Sequence, residues 1–329
     1  MVHAGLPQIG AATMLLGCKD LSLGQVFVVC GARKMVWKPR RSVGGLVGFA
    51  AILLLGAVDW LLLSRLRGPV SLASFFIGLA VAVSVPFLAL LGYWLYGFFS
   101  LRYRLDRNAL TIIWGATRQI VPMASIQRVV RGEELEGEVE VEGVHWPGYW
   151  VGHGQVEGIG LVLFYATRPL AEQLLVVTPT LAYGISPDEP EKFLRAFELR
   201  RRLGPLQRVS QESRQPGLLT WPIWQDRLAH LLVALGLLAN AALFAYLCWR
   251  YPTLPAFLPL HFDALGQTDR IAPRSEVFKL PFIGLLTLTA NCSLGFLVHR
   301  GERFGSYLLL ASAVLVQVLL WLAVLGIIG

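Results

Sequence analysis

The sequence predicts a multi-pass α-helical membrane protein with a β-rich domain inserted between its second and third spans. Three observations predict it. Of 329 residues, 55% are hydrophobic and only 15% charged, against about 25% charged in an ordinary soluble domain. The deficit is concentrated in five charge-poor runs, each near the roughly 20 residues that a helix needs to cross about 30 Å of hydrocarbon. From Leu101, after the second run, the pattern changes to the period-two alternation of strands.

The spans fall at about 43–63, within 71–100, and at about 228–249, 278–298 and 305–328. The second is longer than a straight crossing needs and contains Pro86, a kink or boundary. Five helices place the two termini on opposite sides. Lys38, Arg40 and Arg41 precede the first span and Arg102, Arg104 and Arg107 follow the second. Basic flanks of this kind face the cytoplasm, so the N-terminal flank and residues 101–227 read as cytoplasmic, and loop 250–277 and the C-terminus as external. Trp60, Trp94, Trp221, Trp224 and Trp249 lie near span ends, as an interfacial belt requires. The net charge of +8 is explained by such flanks meeting anionic lipid, and no nucleic-acid partner is expected. Residues 1–34 read as a loosely ordered extension, with Met35 as an alternative start. Leu15–Cys18 resembles a lipoprotein processing site, but no Lys or Arg precedes it.

The domain organisation follows: 1–42 extension and basic flank, 43–100 two helices, 101–205 the β-rich domain, 206–227 an interfacial linker, 228–329 three helices with the external loop. Within the domain, RYRLD alternates Tyr103 and Leu105 against Arg102, Arg104 and Asp106, and Asp106-Arg107-Asn108 supplies a turn. LTIIWG continues the strand pattern, and further strands read at 118–123, 148–154, 159–167, 173–178 and 181–186. A single helix closes the unit, with Ser186 as N-cap, Pro187 in the first turn, Glu189 as the capping-box acid and Gly204-Pro205 as the stop. Trp114, Leu161, Leu163, Leu174, Val176 and Phe197 are the expected core.

Six or seven short strands followed by one helix is the order of a pleckstrin-homology (PH) barrel. YRLDRNALTIIWGATRQIVPMASIQRV resembles the opening of bacterial PH domains, and WPGYWVGHG, GLVLFYAT and VVTPTLAYGISPDEPEKFL continue the likeness to about residue 203. The resemblance implies a PH-like fold attached to membrane helices. It carries over no lipid-binding or catalytic residues.

A phosphoinositide-type site needs Lys and Arg clustered in a strand-connecting loop. The most charged segment is acidic instead: Glu133, Glu134, Glu136, Glu138, Glu140 and Glu142. It reads as a solvated loop held away from anionic lipid, or as a docking patch for a basic partner; calcium is disfavoured because EF-hand spacing is absent. Arg102, Arg104 and Arg107 are placed to set orientation and to touch lipid headgroups.

In the external loop, LPLHFDALGQTD resembles the Pro-x-His signature of a small bacterial membrane domain of unknown function, also found in sporulation-toxin immunity proteins. The match runs through Pro259, His261, Phe262, Asp263, Gly266 and Asp269 and covers about 254–298. His261, Asp263 and Asp269, with Arg270, either hold a structured turn or form a site for an external peptide, lipid or ion. Their spacing is not that of a zinc site.

The nucleotide-loop, metalloprotease and nucleophile-elbow motifs are all missing from the sequence. Cys18, Cys30, Cys248 and Cys292 form no metal spacing. Asn240, Asn291 and Gln317 lie at mid-span and Asp59 near one end, as helix–helix contacts. Gly44 and Gly48 form a small-xxx-small pair in the first span. The reading is a non-enzymatic, cofactor-free interaction or scaffold protein of the bacterial inner membrane, whose partners are the bilayer and other membrane proteins. Its rival is a receptor or immunity-type protein sensing through the loop at His261. A secondary transporter ranks third, for want of paired intramembrane charges and inverted repeats.

Overall fold

The computed structural model of the chain describes residues 35–40, 42–135, 139–207, 209–214, 221–262 and 268–328. Among the described residues, five helices are long and apolar enough to cross a membrane: α1 (Gly44–Arg65), α2 (Leu72–Ser100), α4 (Arg227–Arg250), α5 (Lys279–Val298) and α6 (Arg303–Ile328). A shorter helix, α3 (Pro190–Leu203), lies between the second and third. The chain divides into two compact units. One combines Trp94–Arg214 with Gly48 and the described residues before it; the other combines Phe49–Tyr93 with the residues after Arg214.

The first unit is built on two sheets. β1 (Met35–Trp37), β2 (Arg102–Leu105), β3 (Ala109–Trp114), β4 (Thr117–Pro122) and β11 (Glu212–Arg214) lie in the order β1-β2-β3-β4-β11. The other sheet has the order β5-β9-β10-β8-β7-β6, from β5 (Arg128–Arg131), β6 (Glu142–Trp146), β7 (Tyr149–Val156), β8 (Gly160–Ala166), β9 (Leu174–Val177) and β10 (Ala182–Ile185). Seven of these strands fall on predicted runs; β1, β5, β6 and β11 do not. Neighbours are antiparallel except β8 and β10, which run parallel. The sheets do not close into one barrel: after β4 the chain turns through Met123–Ser125 and pairs β5 with β9 of the other sheet, leaving the β4 edge to β11.

The main core lies between the sheets and α3. Tyr103, Leu105, Leu110, Ile112, Val121, Tyr149, Val176, Ile185, Phe193 and Phe197 are buried there. Alternation along β2 puts Tyr103 and Leu105 inward and Arg102 and Arg104 outward. Of the expected core residues, Leu174, Val176 and Phe197 are buried and Trp114 and Leu163 pack against them, whereas Leu161 is 42% exposed. Leu161 sits opposite Gln155, on the same face of β8 as Leu163 and Tyr165 but at the strand's end, beyond the core.

The helix α3 starts three residues later than Ser186 would place it, with Glu189 at the N-cap position and Pro190 in its first turn. Ser186 has another task. Its hydroxyl accepts from the Thr167 N–H and its own N–H donates to the Tyr103 hydroxyl, tying the strand ends to the core. Gly204, at φ 69°, ends the helix as expected.

In the second unit α4, α5 and α6 form a bundle. Asn240 Nδ2 donates to the Pro281 carbonyl at 3.0 Å and to Gln317 Oε1 at 3.0 Å, and Gln317 Nε2 donates to the Gly284 carbonyl at 2.9 Å. The two amides therefore cross-link all three helices, as polar groups in hydrocarbon do. Asn291, on α5, is only partly buried. Between α4 and α5 stands a hairpin of β12 (Phe257–Phe262) and β13 (Thr268–Pro273), a strand pair where only a structured loop was expected.

Candidate functional site

The first unit is built into the ends of its own helices. β1, immediately before α1, pairs with β2, immediately after α2, in the register Met35↔Leu105, Val36↔Arg104 and Trp37↔Tyr103. Trp37 meets Phe193 of α3 edge-on at 5.8 Å. The last turns of α2 supply Trp94 and Phe98, which pack on the main core. Trp146 Nε1 donates to the Gly44 carbonyl at 2.9 Å, the Tyr149 hydroxyl to the Trp94 carbonyl at 3.0 Å, and Ser42 Oγ to the Gly148 carbonyl at 2.6 Å. Gly44 and Gly48, the small-residue pair, make this approach possible. A Cβ on Gly44 would stand 2.6 Å from the Gly148 oxygen, and one on Gly48 would crowd Leu95 and Trp146. These helix ends, Gly44–Gly48 and Trp94–Ser100, belong to the same compact unit as the two sheets.

The acidic segment is a strap on the outer face of the six-stranded sheet. In ELEGEVEVE (134–142) every second residue is glutamate. Leu135, Val139 and Val141 face a second apolar cluster with Val156, Val162, Phe164, Leu175 and Val177, while Glu134, Glu140 and Glu142 are exposed. Glu136 and Glu138 lie outside the described residues. The glycines of GYWVGHG serve this strap: a Cβ on Gly154 would meet the Glu140 carbonyl at 2.6 Å, and one on Gly152 would overlap the Glu142 carbonyl. They permit close backbone approach. Between the strap and the Pro169–Ala171 loop lies an apolar groove of about 390 Å³, lined by Val139, Val141, Trp150, Phe164 and Leu170. Glu133 is 3.6 Å from Arg131, whose main partner is Glu191; that pairing raises the already high pKa of Arg131. Glu142 is 3.2 Å from His153, with both side chains exposed.

The three arginines separate. Arg102 and Arg104 point outward from β2, and the register sets Arg102 opposite Ile113 and next but one to Arg118. Arg107 turns away, its Nη2 donating to the Leu203 and Gly204 carbonyls at the end of α3. It caps the negative end of that helix.

Of the loop cluster, His261 is on β12 opposite Arg270 on β13, with Asp269 beside Arg270. Asp263 lies outside the described residues, so the structure brings His261 and Arg270 into register without assembling the full set. One face of the hairpin, Leu258 and Ala272, is buried on the bundle with Leu243, Leu247 and Val277. On the opposite face Phe257 and Ile271 are exposed. Arg274 fixes the hairpin's base by donating to the Tyr251 and Leu254 carbonyls and lying 4.6 Å over the Tyr251 ring.

A polar cluster that sequence reasoning missed sits at the other end of the bundle. Asp226 caps α4 through Oδ1, which accepts from the Leu228 and Ala229 N–H groups. Its Oδ2 accepts from the Tyr307 hydroxyl at 2.5 Å and lies 3.4 Å from His299 Nε2. His299 Nδ1 is 3.2 Å from Ser306 Oγ. The Tyr307 hydroxyl, with the Ala229 N–H, holds the Asp226 carboxyl below the usual range. The residue types are those of a hydrolase triad, yet Ser306 is wholly buried and His299 nearly so, leaving no room for an acyl group at the hydroxyl. The cluster joins three helix ends. Asp226 and His299 stand 73 residues apart in sequence, which hides the pairing from a local motif search. Among the described residues, no group of three or more His, Cys, Asp or Glu side chains could hold a metal ion.

Among the described residues, five apolar helices, a two-sheet domain between the second and third of them and a hairpin between the third and fourth define a multi-pass membrane protein with an inserted β domain. Residues 101–201 match the family model described as bacterial PH domain, and residues 238–285 match a domain of unknown function (DUF1648). The β domain is thus similar to bacterial PH domains, and the stretch through the hairpin into α5 is similar to DUF1648. No curated protein and no solved structure matches it.

Proposed function

We propose that the chain is a non-enzymatic interaction protein of the bacterial cytoplasmic membrane, with its PH domain on the cytoplasmic side presenting the acidic strap and groove to other membrane proteins. The observation that carries this reading is the acidic strap itself, which sets exposed Glu140 and Glu142 beside an apolar groove on the outer face of the six-stranded sheet. The apolar groove beside exposed glutamates favours a partner segment with alternating apolar and basic residues. The basic flank at Lys38 and Arg40, with Arg102 and Arg104, supports the cytoplasmic assignment.

A second reading rests on the hairpin, whose Phe257 and Ile271 face outward with no cover among the described residues. It makes the external side the point of ligand contact. Photo-crosslinking amino acids placed singly at Glu140 and at Ile271 in living cells separate the two. Adducts at Glu140 are expected, and adducts confined to Ile271 would move the functional centre to the hairpin. Sidedness is tested by an impermeant thiol reagent on single cysteines at Gln155 and Ile271 in a cysteine-free background. Ile271→Cys should label from outside and Gln155→Cys only after lysis.

A further inference from the structure

The bundle α4–α6 buries 22–28% of the residues in its apolar windows, whereas α1 and α2 bury 11% and 6%. The first two helices thus present most of their length to whatever surrounds them. Bare apolar surface is satisfied by lipid tails. Asp59 is not.

Asp59 lies six residues before the end of α1, about 9 Å along the axis, and is 9% exposed. An aspartate inside hydrocarbon is costly and persists where it has a partner. Its recorded partner is Ser84 of α2, whose Oγ donates to Asp59 Oδ2 at 2.6 Å and lies 2.8 Å from the Val81 carbonyl. A hydroxyl carries one proton, so Ser84 serves either the carboxyl or the carbonyl at a given moment, and no second donor to Asp59 is recorded among the described residues. Two residues on, Pro86 withholds the N–H that the Ala82 carbonyl would otherwise receive. Beside Ser84 runs an apolar groove of about 540 Å³, lined by Leu55, Phe76, Leu79, Val83 and Phe87.

We propose that this groove receives a transmembrane helix of a partner protein, carrying a lysine or arginine at the depth of Asp59. Charge complementarity selects that occupant. Acyl chains offer no donor, and a basic side chain is the partner that matches the charge of an aspartate. A second copy of the chain fails for a different reason. None of the five spans holds a Lys or Arg away from its ends, so self-association through α1 and α2 would set Asp59 against another acid. A basic residue on a foreign helix supplies the missing donor and removes its own desolvation cost in the same contact.

The test uses the full chain in lipid nanodiscs or vesicles and two synthetic probes: a leucine-rich transmembrane peptide with one lysine at the matching depth, and its all-leucine counterpart. Association is read by energy transfer from labelled protein to labelled peptide. The lysine peptide should associate at least about tenfold more tightly than the leucine peptide. Asp59→Asn, which keeps the shape and can still accept from Ser84, should reduce that preference to none. Ser84→Ala, which leaves the carboxylate without its present donor, should retain or strengthen it; this variant also separates loss of charge from loss of fold. Equal association of both peptides, or a preference that survives Asp59→Asn, would overturn the proposal. So would self-association of the chain through α1 and α2 that excludes the lysine peptide.

Discussion

Tyr103 shows how much a single hydroxyl can organise. It is fully buried, donates to the Tyr165 carbonyl at 2.7 Å and accepts from the Ser186 N–H at 3.1 Å, joining β2, β8 and the end of β10. Tyr103→Phe leaves both backbone groups buried without that partner and should cost about 1–3 kcal/mol, measurable as a lower unfolding temperature of the domain. Burial also pushes the phenol up to about 12. A folded-state value raised above the unfolded one gives stability that is complete below about pH 10 and lost as the pH rises toward 12. The native chain should therefore lose stability over that window more steeply than the Phe variant. In the bundle, Asn240 and Gln317 offer the matching test. A double-mutant cycle with alanine at both should give a coupling of about 0.6–2 kcal/mol, read by unfolding in mild detergent. Both amides were legible as helix contacts because polar groups at mid-span have few other uses. Arg107 was not: its sequence position beside Arg102 and Arg104 suggested lipid, and only the return of α3 to the Asp106–Asn108 turn gives it carbonyls to cap.

Among the elements, β1 has the largest effect for its length. Three residues ahead of a span carry no periodicity long enough to detect, and their pairing partner lies beyond two membrane helices. β6 was hidden differently, because the glutamates that precede it made the stretch read as a solvated loop although Val144 and Trp146 of the strand pack on the core. The spans and the seven strands with clear alternation were legible to within about two residues, since hydropathy and period are local properties. A fragment of residues 101–207, which sequence reasoning expects to fold alone, lacks β1, Trp37, Trp94 and Phe98. It should retain β structure by circular dichroism but bind a hydrophobic dye and unfold at lower temperature than the domain in the intact chain. Within the chain, Phe197→Ala should cost about 3–5 kcal/mol, as α3 buries that ring at 3% exposure. At the foot of the bundle, Asp226 has a depressed carboxyl, so the stability it lends is present above about pH 4 and falls as the pH drops. Tyr307→Phe should flatten that acid dependence of the unfolding temperature, because the tyrosine hydroxyl is its largest cause.

On the scale of the whole molecule, the ladder between β1 and β2 does something that no charge count does. Hydrogen-bonded strands lie on one side of a bilayer, so the chain between Trp37 and Arg102 must cross an even number of times. The contact of Asp226 with His299 and Tyr307 sets the same condition on α4 and α5. Basic flanks then decide only which face is which, and the parity of the crossings is written into the fold itself. This makes a topology error self-reporting. One extra apolar span inserted between Arg65 and Leu72 would strand Met35–Trp37 across the membrane from β2, and the PH domain should lose its protease resistance even though none of its own residues has changed. Biogenesis carries the same rule: β1 leaves the ribosome well before its partner and can pair with β2 only after the two helices between them have been correctly threaded.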